Sequence, residues 1–146
     1  MGRRRLKIIS LLMGLILAWS GAVLSQGDPE TTRMLLDSYD FLEAGQMDEA
    51  KAIFRDILQR DPGNPVALNN LGAVMVKEKK YQEALNYLEQ ALPRARGYKV
   101  RVNRVCALDG LCLAFRPLQE VYGDQDLEPL VKLNIDMVKA RLATRE

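Results

Sequence analysis

The apolar positions of this chain fall into helical stripes, and the second pair of stripes restates the first. Met34, Leu35, Tyr39, Phe41 and Leu42 supply apolar contacts at helical spacings. Ala50, Ile53, Phe54, Ile57 and Leu58 then fall at i, i+3, i+4, i+7 and i+8, which paints one face of a second helix, from about Met47 to Arg60. The polar residues supply the punctuation. Asp28 suits a helix cap, with Pro29 at the first position, where a missing N–H costs nothing. Gly45 fits the left-handed residue just past a helix end, and "DPGNP" stops the second helix. The grammar restarts at once. Asn64 is a cap, Pro65 follows, and Leu68, Leu71, Met75 and Val76 form an inner face up to "KEKK". A fourth helix, from about Tyr81 to Leu92, carries Ala84, Leu85, Leu88, Ala91 and Leu92.

The echo has a fixed period. The step from Ala50 to Ala84 equals the step from Phe54 to Leu88. The small residues Ala50, Gly72 and Ala84 let neighbouring helices approach closely, and Phe54 and Leu88 fill the space between them. These positions read as packing and not as ligand contacts.

In this period and these positions the chain resembles the tetratricopeptide repeat, a helix–turn–helix unit of about 34 residues. The second unit shows Leu68-x2-Leu71-Gly72-x2-Met75 and Ala84-x3-Leu88, with Leu68 where the family has Trp and Met75 where it has Tyr. The first shows Met34, Phe41, Ala50-x3-Phe54 and the closing Pro62, and departs at Asp37 and Ser38, where Leu-Gly is usual. The resemblance covers about residues 31–98, in units of about 31–64 and 65–98. It implies a mainly α fold, two units stacked as a short α-solenoid across residues 29–96. It also implies peptide binding in a concave groove lined by the first helix of each unit. Groove candidates are Leu35, Tyr39 and Leu42 from the first unit and Val66, Asn69, Asn70, Ala73 and Lys77 from the second. Asn69 and Asn70 suit a peptide backbone, and Lys77 suits a carboxylate. Some family members clamp a C-terminal carboxylate with several Lys, Arg and Asn residues. Only Asn70 and Arg104 match here, so that function does not carry over.

Two units are too few. Such repeats bury their apolar faces only by stacking, usually at least about three together, and the last helix needs a cover with a polar outside. "DLEPLVKLNIDMVKARLATRE", residues 126–146, offers one. Leu127, Leu130, Val131, Ile135, Val138 and Leu142 make its stripe, Asp126 suits its cap, and Pro129 falls in the tolerated first turn. A capping helix is expected within residues 126–145.

Residues 99–116 allow two readings. Val100, Val102 and Val105 favour strand and Asp109-Gly110 is a hairpin turn signal. A helical stripe through Val102, Val105, Leu108, Cys112 and Phe115 also fits, which would make a third helical unit. The two cysteines bear on the choice. On a helix Cys106 and Cys112 would be about 9 Å apart along the axis and point apart, beyond the reach of a disulfide. In a hairpin with the loop Leu108-Asp109-Gly110, Ala107 faces Leu111, Cys106 faces Cys112, and an exported chain would bridge them. Two free buried thiols are the alternative.

Export is what the N-terminus suggests. "MGRRRLK" is a basic leader, residues 8–24 form an uncharged run, and Val23-Leu24-Ser25 reads as a tolerable cleavage site before Gln26. Residues 1–25 read as a signal peptide or, uncleaved, as a membrane anchor. Either places the rest on the periplasmic or extracytoplasmic side, with membrane contact only through this segment. The leader also holds four of the 21 basic residues, leaving 17 against 19 acidic ones, a net charge of −2. That removes the main support for nucleic-acid binding, which needs a concentrated basic surface. The chain contains no His, so the commonest general base and the commonest transition-metal ligand are missing. No Gly-rich phosphate loop and no nucleophile elbow occurs. The expectation is a non-catalytic scaffold of the cell envelope without metal or cofactor, binding a protein or peptide. The alternative is a structural oligomerisation module whose short stack packs against another copy or a larger assembly.

Overall fold

The computed structural model describes residues 28–100, 105–108, 111–113 and 125–144. Five helices lie among them: α1 (Pro29–Glu43), α2 (Met47–Arg60), α3 (Pro65–Lys77), α4 (Tyr81–Ala95) and α5 (Glu128–Ala143). The caps act as the sequence predicts. Thr31 N–H donates to Asp28 Oδ2 at 2.9 Å, and Ala67 N–H to Asn64 Oδ1 at 3.0 Å. Pro29 and Pro65 open their helices without losing a hydrogen bond.

The two units close their turns with the same hydrogen bond. Gln46 N–H reaches Phe41 O at 2.8 Å, and one repeat later Lys80 N–H reaches Met75 O at 2.9 Å. This six-residue closure needs one left-handed residue just past the helix. Gly45 supplies it at φ +77° in the first unit, and Lys79 at φ +62° in the second.

α1 packs on α2 and α3 on α4 within the units, and α2 meets α3 between them. Phe54, Ile57, Leu71, Val74 and Leu88 are fully buried in the shared core. Gly72 makes the close approach that its place in the repeat implies. A Cβ there would lie 2.7 Å from Leu88 Cγ and 3.2 Å from the Ala84 carbonyl oxygen. α4 runs past its expected end at Leu92, through Pro93 to Ala95. The lost N–H bond falls in the last turn, and Ala95 beyond it is fully buried, so packing outweighs the break.

The stack does not stop at α4. α5 lies on α4, as α3 lies on α2, and takes the place of a third unit's first helix. The chain reaches it by an excursion whose ends are pinned together. β1 (Lys99–Val100) pairs antiparallel with β4 (Gln125–Asp126), and Leu127 N–H donates to Tyr98 O at 3.1 Å. Asp126 sits in β4, one residue before the N-cap position Leu127, and still serves the start of α5. Its carboxylate accepts from Gly97 N–H at 2.8 Å and from Glu128 N–H at 3.0 Å, which ties the end of α4 to the start of α5. Arg96 adds a two-pronged ion pair to Glu128 at 3.0 and 3.1 Å.

Within the excursion β2 (Val105–Leu108) and β3 (Leu111–Leu113) pair antiparallel. Leu108 pairs with Leu111, so it belongs to the ladder and not to the loop where the sequence placed it. The far pair, Val105 with Leu113, keeps the expected offset. The register therefore shifts between the two pairs, as at a β-bulge. A cross-strand bridge between Cys106 and Cys112 concerns side chains outside the described ones.

Candidate protein-interaction face

The face of interest is the inner surface of α1 and α3, where the groove candidates stand. In the second unit it is closed. Every residue of α3 from Pro65 to Val76 is buried. A helix that is apolar nearly all round has to be enclosed, and the neighbours that enclose it are identifiable. α2 and α4 take one side, and the β2–β3 ladder and α5 lie against it as well.

The candidates are therefore placed as follows. Val66 and Ala73 are buried in the core. Asn69 and Asn70 have no exposed surface and join a relay of amides. Asn134 Nδ2, on α5, donates to Asn69 Oδ1 at 2.9 Å, and Asn69 Nδ2 donates to Asn70 Oδ1 at 3.1 Å. A buried amide is costly unless its hydrogen bonds are met. This chain meets them with its own α5, in the role the sequence reading gave to a peptide. The expectation of an open groove at Val66, Asn69, Asn70 and Ala73 is thereby corrected. Lys77, at the end of α3, is exposed. In the first unit Leu35, Tyr39 and Leu42 are only 9%, 8% and 7% exposed and belong to the same core.

A charge network sits at the turn between α3 and α4. Lys51 of α2 is buried to 9% exposure and pairs with Asp48 at 2.7 Å and with Glu78. Glu78 also takes Lys80 at 2.7 Å. The bond from Asp48 and then that from Glu78 raise the Lys51 ammonium above its ordinary pKa. Lys51 and Lys80 in turn lower the Glu78 carboxyl. A buried charge survives only when so paired. The network fastens the first unit to the second and leaves neither group poised to transfer a proton at neutral pH. A shallow cleft of about 300 Å³ lies beside it, lined by Lys79, Lys80, Tyr81, Gln82, Glu83 and Leu142. Among the described residues no group of three His, Cys, Asp or Glu could hold a metal ion.

Sequence reasoning missed Asn134, Lys51 and Glu78. Asn134 left a trace, since it interrupts the apolar stripe between Val131 and Val138. Lys51, one helical turn after Asp48, looked like one more exposed helix charge.

Helix pairs repeated at one fixed period, with one turn geometry and one core, define an α-solenoid repeat protein. The family model of the tetratricopeptide repeat matches residues 41–108. The match, a little under half of the chain, together with the stacked helix pairs supports tetratricopeptide repeats in this region, and such repeats are generally protein–protein interaction modules. No curated protein and no solved structure matches it.

Proposed function

We propose that this chain is a non-catalytic assembly module on the extracytoplasmic side of a membrane. Residues 1–25 export or anchor it, and its partners dock on the outside of the stack. One observation carries this reading: the inner face of α3, where a peptide would lie, is filled by the chain's own α5 and β2–β3. A groove occupied from within favours the structural alternative over peptide capture. What stays exposed is the outer surface of α2 and α4, with Arg55, Asp56, Gln82, Asn86 and Gln90, and the free side of α5.

Export is supported by the basic leader and the uncharged run behind it. Among the described residues no helix is long and apolar enough to cross a membrane, and residues 1–27 lie outside them. In an oxidising compartment Cys106 and Cys112, on paired strands, would form the bridge read from the sequence. Thiol titration of the unfolded, unreduced protein should then find none free.

In-cell photo-crosslinking of the full chain tests the docking side. A crosslinker at Asn86 or Lys132, on the outside, should capture another polypeptide. Capture from Lys77, at the rim of the inner face, with none from the other two would contradict the proposal and restore the groove.

A further inference from the structure

α5 carries more apolar surface than the stack uses. Leu127, Val131, Ile135 and Val138 face inward and are buried. A second stripe, Leu130, Leu133, Met137 and Ala140, runs beside them at i, i+3, i+7 and i+10, which puts it on one line of the helix. Leu133 is 47% exposed, the one exposed large hydrophobic side chain among the described residues. Leu130 and Met137 flank it, half-buried, each packed in part against the core. Glu128, Lys132, Asp136 and Lys139 share a narrower arc, and the half-buried Arg141 borders the stripe on its other side. In a continuing solenoid this stripe would meet the second helix of a third unit.

We propose that the stripe is a dimer surface, on which α5 of a second copy lies antiparallel across a two-fold axis near Ile135. The sequence is self-complementary about that point. Leu133 meets Met137 of the partner subunit, and Leu130 meets Ala140 of the partner subunit. Asp136, which borders the stripe, comes within about 3 Å along the axis of Lys132 of the partner subunit, given about 1.5 Å of rise per residue. The symmetry makes that pair twice. Asp136 is thereby matched by a lysine that also pairs with Glu128 of its own helix at 2.7 Å, while Lys139 is turned to Glu89 of α4 at 3.6 Å. An isologous contact of this kind closes on itself and leaves no edge for further growth.

The proposal rests on the assembly reading and names one partner for it. The test is the mass of the full chain by light scattering after size exclusion. It is run in mild detergent, so that residues 1–27 do not decide the result, at about 100 µM, because a contact this small is weak. A dimer is expected. Leu133→Glu should abolish it while circular dichroism stays unchanged, since the position is exposed. Asp136→Lys should weaken it about tenfold through two lost pairs, and Lys132→Asp/Asp136→Lys should restore it. A wild-type monomer, which would leave the stripe to residues 1–27 or to a foreign helix, overturns the proposal. So does a dimer indifferent to Leu133→Glu, or a double variant no better than Asp136→Lys. A monomer that still crosslinks to other polypeptides from Asn86 overturns the pairing alone and leaves the assembly reading standing.

Discussion

The two units share a backbone plan and differ at matched positions. Where the first has Leu35, Ser38 and Gly45, the second has Asn69, Gly72 and Lys79, each one full repeat further on. The first unit keeps a flexible turn and an apolar inner face. Ser38, fully buried, spends its hydroxyl on Leu35 O at 2.7 Å in its own helix. The second unit gives up the turn glycine, gains a glycine between its helices, and carries amides on its inner face. Those amides matter because α5 answers them. The repeat therefore specifies the stack, and the departures from it specify where the chain folds back on itself.

The largest effect should come from making the second inner face like the first. Asn69→Leu removes the acceptor of Asn134 and the donor to Asn70, in a site closed to water. Each buried group left unmatched costs about 1–3 kcal/mol, so a loss of about 2–4 kcal/mol is expected in urea denaturation. Asn69→Leu/Asn134→Leu should recover part of it, because the outer partner is then apolar as well. A loss under about 0.5 kcal/mol for the single variant, no more than an ordinary surface substitution produces, would mean that the relay carries no weight.

The helix–helix contact comes next. Gly72→Ala drives a methyl group into Leu88 and toward a backbone oxygen, and overpacking of this kind costs about 1–3 kcal/mol. Ser38→Ala at the matched position loses only a bond within its own helix and should stay within about 1 kcal/mol. Equal losses would show that the two units pack alike after all. The smallest effect is a gain. Lys79→Gly relieves a left-handed residue and should stabilise by about 0.5–1 kcal/mol, while Gly45→Ala should cost about 1 kcal/mol. Opposite signs in the two melting curves distinguish the turns.

Most of the solenoid is legible in the sequence, because caps, stripes and turn residues act locally and repeat. Asp28, Pro29, Asn64 and Pro65 mark two helix starts, and the apolar offsets mark the faces. The inner face is not legible in the same way. Asn69 and Asn70 read as ligand-binding because polar residues on a groove usually face solvent. The partner of Asn69, Asn134, lies 65 residues away beyond an excursion, and no local pattern announces that contact. The β1–β4 clasp is hidden for a like reason. Two residues on each side, Lys99–Val100 and Gln125–Asp126, are too short to show alternation. The hairpin signal at Asp109-Gly110 is readable, but its register depends on an irregularity that composition does not encode.

The central claim is that α3 is closed from within. The direct measurement is thiol labelling of Ala73→Cys and Lys77→Cys in the full chain, each resolved from the native cysteines by mass spectrometry. Both positions lie on α3, one without exposed surface and one exposed. If the chain's own segments cover the face, Cys at 73 should react at least about 100-fold more slowly than Cys at 77, since it reacts only when the cover opens. Comparable rates would mean that the inner face is open, and the groove reading would replace this one.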